Sequence, residues 1–162
     1  EGLALAAFSM LKSITKDPLL KQLLHYVIRD EARHVTFGIN YLEDYVKTLS
    51  QDEINDRANF AYEACVISRE RLINTKSEQR FLKMSESEAR DFTLSTSSFA
   101  MFRNFLFSRV IPNLSRIGLL TDEVRPKFDA LGLLEYEQAP DDFECDWAEL
   151  KKPLESFDEV AT

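Results

Sequence analysis

The sequence contains few of the residues that interrupt helices, with only four glycines and five prolines in 162 residues. A β-sandwich or barrel of this size needs turn residues between many short strands, so their scarcity argues against those folds. Apolar residues make up 44% of the chain, which is enough for the core of one domain. We therefore expect a single all-α domain.

Positive charge and long hydrophobic runs are also lacking. The formal net charge is -8, which argues against binding to nucleic acid, because neutralising phosphates requires an excess of Lys and Arg. The longest uncharged runs are about ten residues, too short for a membrane span. Cys65 and Cys145 lie far apart and match no metal-ligand spacing. These observations predict a soluble, cytoplasmic protein with free thiols.

Histidine occurs only twice, as His25 and His34. His34 closes the segment Asp30-Glu31-Ala32-Arg33-His34, within a periodic apolar pattern that predicts a helix of about nine turns from Pro18. Residues three apart on a helix share a face, so the side chains of Glu31 and His34 can reach one metal ion. We place Glu31 on the apolar face, where a buried carboxylate needs a metal or a cationic partner. His25 lies half a turn away and is expected on the polar face.

A predicted hairpin adds Glu1 to this motif. Residues 1 to about 15 predict a first helix, and Asp17-Pro18 is a typical N-cap and first position of a second one. Glu1 and Glu31 then lie at the same level, roughly 22 Å from a turn near Lys16 at 1.5 Å per residue. Glu1 is therefore a third candidate ligand. Asp30 and Arg33 would orient the ligands, with Asp30 accepting a hydrogen bond from a metal-bound histidine outside this chain.

Glu1 followed by Asp30-Glu31-Ala32-Arg33-His34 resembles the second half of the ferritin-like di-iron carboxylate superfamily. Its members include bacterial multicomponent monooxygenases, acyl-carrier-protein desaturases, ribonucleotide reductase radical subunits and N-oxygenases. The resemblance covers about the first 50 residues. It implies a ferritin-like helix bundle with two iron ions, or iron and manganese, that reacts with dioxygen as co-substrate. N-oxygenases carry a further histidine one turn before this glutamate, where this chain has Val27, so that subfamily is disfavoured.

The superfamily's first Glu and first Glu-x-x-His are missing from this chain. Either an upstream segment of a longer polypeptide, of which this chain is the C-terminal part, supplies them, or two copies form a homodimer. The expected function is an oxidase or oxygenase that acts on an organic substrate, with a reductase as electron donor. A ferroxidase or other iron-binding ferritin-like protein is one alternative, and a metal-free helical interaction module is another.

The remaining expectations concern a pocket and the domain limits. Four apolar residues beside the expected metals are suited either to line a substrate pocket or simply to pack in the core: Leu5, Phe8, Leu24 and Val27. The helical domain is expected to span residues 1–138, with a metal-binding hairpin over 1–50 and further helices over 51–138. An acidic tail, residues 139–162, is expected to cover the surface of the bundle.

Helix boundaries after the hairpin are predicted from capping residues and proline. Ser50 with Glu53, and a second Ser and Glu pair at 85 and 88, each form a capping-box pattern at a helix start. The helix that starts at about Glu86 is expected to end or kink near Pro112. A later helix is expected to close at Gly132 in a left-handed cap.

Overall fold

A computed structural model describes residues 2–73 and 75–139 of the chain, apart from the side chains of residues 3 and 72. Within these ranges the secondary structure is helical and contains no strand, which confirms the all-α prediction. The elements are α1 Gly2–Ile14, α2 Pro18–Val46, α3 Gln51–Leu72, α4 Lys76–Leu82, α5 Glu86–Ser95, α6 Ser97–Arg116, α7 Arg125–Ala130 and a 3₁₀ turn Leu134–Tyr136. No helix in the described part of the chain is both long and apolar enough to cross a bilayer.

The predicted helix starts are confirmed by their hydrogen bonds. The Asp17 carboxylate accepts from the backbone N–H groups of Leu19 and Leu20 at 2.9 and 3.1 Å, at the start of α2. Ser50 and Glu53 form a reciprocal capping box at the start of α3. The same box forms before α5. These signals are reliable because each involves residues within a single turn.

The region from Glu86 differs from the prediction in two ways. The single helix expected there is divided at Thr96, whose backbone is extended. The Thr96 hydroxyl caps α6 by accepting a hydrogen bond from the Phe99 N–H at 3.2 Å. The expected end of the helix near Pro112 is also wrong, because α6 continues through it to Arg116. Proline removes one helical hydrogen bond. Here its ring is buried next to the fully buried Ile111, so packing offsets that loss.

Helix α1 lies between α2 and α6 and contacts both, while α3 packs on α6. The main core joins α1, α3, α6, α7 and the loops that follow α6 and α7. Its buried members are Ala6, Ala58, Cys65, Leu106, Phe107, Ile111, Leu120, Val124, Phe128 and Leu133.

Among the described residues, other helices cover α2 along one side. Near its middle, Ile28 and Ala32 pack with Leu5 of α1 in a second cluster. Farther along, Ile39 packs with Ile117 at the end of α6 in a third cluster. The opposite side of α2 carries exposed residues, so the fold presents one long helix face to its surroundings.

As expected, a left-handed glycine, Gly132, follows the end of α7, with a φ of +65°. Beyond it, Glu137 ties the end of the described chain to the bundle. Its carboxylate accepts hydrogen bonds from both terminal nitrogens of the Arg125 guanidinium, one of them at 3.1 Å. The Ser115 hydroxyl donates to the same carboxylate at 3.0 Å. The bonds to Arg125 are the main reason that the pKa of Glu137 lies below its ordinary value of 4.5, and the bond from Ser115 adds to the effect.

This ion pair predicts a pH-dependent loss of stability in a Glu137→Gln variant. A carboxyl with a depressed pKa in the folded state stabilises the fold above its ordinary pKa, and that contribution disappears as pH falls through the depressed value. We expect the variant to lose about 1 kcal/mol of unfolding free energy at neutral pH. The difference should shrink as the pH is lowered below 4.5 and through the depressed pKa. Urea unfolding at a series of pH values measures it. An equal loss at every pH would contradict this assignment.

Candidate metal centre

Glu31 and His34 lie one turn apart on α2 with their side chains directed at each other. The Nδ1 atom of His34 is 3.6 Å from Oε2 of Glu31. The imidazole is 63% exposed and the carboxylate 31% exposed. A carboxylate oxygen and an imidazole nitrogen at this separation are close enough to share one metal ion, since their bonds to iron-like ions are about 2 Å long. The pair is therefore a two-ligand fragment that is open to solvent.

The structure corrects the predicted position of Glu31 relative to the core. The sequence interpretation placed it on the apolar stripe, facing the interior. The buried stripe of α2 instead runs through Leu24, Ile28 and Ala32, and Glu31 lies at its edge. The inner face is therefore covered by α1, and the Glu31/His34 pair faces the uncovered side. The carboxylate does not carry the desolvation penalty that was expected of it.

Asp30 and Arg33 lie beside the pair and contact each other. The Arg33 guanidinium is 3.6 Å from Oδ1 of Asp30, and the Nε atom of Arg29 is 3.5 Å from the same oxygen. The side chains of Arg33 and Asp30 are more than half exposed. Two arginines thus hold the Asp30 carboxylate near the surface, where it is available to a group from outside the described chain.

Glu1, the third predicted ligand, lies outside the described residues. The hairpin that was expected to position it is present, because α1 and α2 are joined over residues 15–17 and pack together. Leu5 lies in one cluster with Ile28 and Ala32. The first turns of α1 are therefore level with the turn of α2 that carries Glu31, as the sequence predicted for this part of the hairpin.

The described residues contain no group of three His, Cys, Asp or Glu side chains arranged to hold a metal ion. Among the same residues, the Glu31 carboxylate contacts the His34 imidazole, and no Lys or Arg side chain pairs with it.

Three of the four predicted pocket-lining residues pack together in the second cluster. Leu5 and Leu24 are 0% and 5% exposed, and Phe8 packs against the same cluster. Val27 is half-buried on the flank of α2. Core packing was the simpler of the two interpretations of these residues, and it accounts for the arrangement at Leu5, Phe8 and Leu24.

A cavity of about 210 Å³ lies between α3 and α6, away from these residues. Its walls are almost wholly apolar, and α3 contributes small residues at helical spacing: Ala61, Ala64, Cys65 and Ser68. Burial raises the pKa of the Cys65 thiol to about 12, so this cysteine is an inert wall residue. The run of small residues on one face of α3 was the sequence signal for this space.

His25 was expected on the polar face, and this expectation is wrong. The side chain is 4% exposed, and its Nδ1 atom is 3.1 Å from Nζ of Lys12 in α1. The Lys12 ammonium has only donors, so it donates to Nδ1 in a tautomer that carries the proton on Nε2. Burial, and then the nearby Lys21, lowers the pKa of Lys12. The packing of α1 on α2 encloses this pair, and no pattern within α2 alone reveals it.

Comparisons of the chain with family models, with curated proteins and with solved structures found no match.

Proposed function

We propose that this chain supplies half of a carboxylate-bridged di-metal centre in a ferritin-like helix bundle, and that the complete centre reacts with dioxygen. The observation that carries the proposal is the Glu31/His34 pair, with Oε2 and Nδ1 3.6 Å apart on the uncovered face of a long helix. Bundle proteins of the di-iron type build each half of their site from such a Glu-x-x-His pair and a lone Glu on the neighbouring helix.

The residues present fit this role in number and kind. A half-exposed carboxylate and an exposed imidazole offer one oxygen and one nitrogen ligand without first breaking a buried ion pair. Glu1 is proposed as the lone ligand from the preceding helix. When bound, two iron ions, or iron and manganese, would supply the redox chemistry that reduces dioxygen and oxidises an organic substrate. A reductase would deliver the electrons.

Asp30 and Arg33 are proposed as positioning residues. Asp30 is 58% exposed, accepts a hydrogen bond from Arg29 at 3.5 Å and lies 3.6 Å from the Arg33 guanidinium, so it retains lone pairs for the N–H of a histidine from the other half of the site. Such a bond would fix the tautomer and ring orientation of that histidine.

The metal-free interaction module is the competing proposal. A solvated Glu31 needs no cationic partner in that case, so metal content, and not the contacts of Glu31, separates the two.

Metal analysis of the purified protein tests the proposal. We expect bound iron or manganese, and a loss of affinity of more than about 100-fold in Glu31→Ala and in His34→Ala, because even changes next to a ligand cost about 10–100-fold. Glu63→Ala is the matched control, since Glu63 is an exposed glutamate on α3. Equal metal content in all four proteins, or none in the wild type, would refute it.

Measurement of dioxygen uptake distinguishes the two enzymatic forms of the proposal, an oxygenase and a ferroxidase. An oxygenase should couple the consumption of dioxygen to oxidation of an organic co-substrate. A ferroxidase should turn over Fe(II) with dioxygen alone.

A further inference from the structure

The uncovered side of α2 carries an unusual amount of exposed apolar surface. Five large side chains there are between 43% and 74% exposed: Leu19, Leu23, Phe37, Tyr41 and Tyr45. At about 100° per residue, all five fall within an arc of about 80° around the helix, together with Asp30 and His34. We call these seven residues the open face of α2. Large apolar side chains exposed at both ends of one helix face indicate a contact surface.

Along the helix axis, the open face is centred near the midpoint of α2. Around the axis, it lies on the side opposite the residue at that midpoint. Helix α2 spans Pro18–Val46, so its midpoint is Ala32, which is 3% exposed and packs toward α1. The centre of the open face is diametrically opposite Ala32. Residues of similar character lie at equal distances on either side of this midpoint: Leu19 matches Tyr45, and Leu23 matches Tyr41.

In a second copy of α2, packed antiparallel about a two-fold axis through this point, matched residues on the central line of the open face would lie opposite each other. Leu23 would meet the partner's Tyr41, so that apolar ends cover one another. In the middle, Asp30 would lie close to the partner's His34, a contact that joins a carboxylate to an imidazole. Glu31 would lie on the same side of the interface as the partner's Glu31. A parallel arrangement would instead oppose like residues, and Asp30 would face the partner's Asp30.

We propose that a second copy of this chain covers the open face of α2 in this antiparallel arrangement and completes the metal site. Completion of the metal site by the second copy rests on the proposed function. Along the helix, Glu31 and His34 both lie within about 3 Å of the axis. Two copies would therefore bring two Glu-x-x-His pairs to one level, as in the two halves of a di-metal centre, and would place Asp30 to accept from the partner's His34.

Chemical cross-linking tests the arrangement. In a Cys145→Ser background, we expect a Leu23→Cys protein mixed with a Tyr41→Cys protein to be joined rapidly by a short bis-maleimide, because facing helices are about 8–10 Å apart. Positions 23 and 41 are roughly 27 Å apart on one helix, so such a product must join two chains. Cys65 is buried and does not compete for the reagent.

The single variants are the internal controls. Leu23→Cys alone, and Tyr41→Cys alone, should form little cross-linked product, because each faces a different residue of the partner. Cross-linking within the single variants, or none in the mixture, would overturn the arrangement. If another segment of the polypeptide covers the open face, no cross-linked product should form in the mixture.

Sedimentation provides the second measurement. We expect the wild type to behave as a dimer of its 18.7 kDa chain, or of the longer protein that contains it. Tyr41→Lys should shift it to monomer, while Phe60→Lys, at a position that is 73% exposed on α3, should not. A monomeric wild type would overturn the pairing even if it binds metal. A cross-linked dimer without metal would leave the pairing intact and refute the proposed function.

Discussion

Truncating Phe128 to alanine is expected to lower the free energy of unfolding by about 3–5 kcal/mol. Phe128 is fully buried in the main core, and its ring makes an edge-to-face contact with Tyr62 at a centroid distance of 5.5 Å. The change removes apolar contacts and leaves a cavity that surrounding helices fill only in part. It also leaves the short helix α7 without its buried anchor, since Phe128 is the buried residue of that helix.

Urea unfolding followed by circular dichroism, at one fixed protein concentration, measures this loss. Phe60→Ala is the matched control, because Phe60 is 73% exposed on α3, and we expect a change within about 0.5 kcal/mol. A Phe128→Leu variant, with a smaller loss, keeps the comparison measurable if the alanine variant does not fold. A loss below about 1 kcal/mol in Phe128→Ala would contradict the core position of this ring.

Enlarging Ala6 to leucine is expected to lower the free energy of unfolding by about 1–3 kcal/mol. Ala6 is 0% exposed and belongs to the main core, on the side of α1 that packs on α6. Helix separation depends on the size of the side chains at the contact, so a larger residue must push α1 away from α6 or adopt a strained rotamer. Because α1 also supports α2, the shift would reach the helix that carries Glu31.

Ala100→Leu provides the comparison for Ala6→Leu. Ala100 is exposed on α6, and alanine and leucine differ little in helix propensity, so this change should be nearly neutral. The same unfolding measurement applies to both variants. An unchanged or increased stability in Ala6→Leu would show that the contact between α1 and α6 contains unfilled space.

The helices could largely be predicted from the sequence because their signals are local. Asp17-Pro18 defines the start of α2, and Ser50 with Glu53 defines the start of α3, through hydrogen bonds within one turn. The break at Thr96 had a signal of the same kind, the polar run of residues 95–98, which was outweighed by the aromatic residues on either side of it.

Burial was predicted less well, because it depends on which helix covers which face. Pro112 is a helix breaker by local rules, yet it lies inside α6, where its ring is buried. His25 was assigned to the polar side of α2 because it is half a turn from His34, but α1 brings Lys12 against it. Glu31 follows the apolar periodicity of α2, but the stripe that α1 covers runs through Ile28 and Ala32 instead.

The sequence by itself therefore determined the all-α class, the hairpin of α1 and α2, and the placement of Glu31 and His34 on one face of a helix, because helical periodicity and capping act within a few residues. Only the tertiary structure decided which face of α2 is buried. Contacts between α1, α2 and α6 made that choice, and they join residues far apart in the chain. The Glu31/His34 pair is left on the open side for this reason.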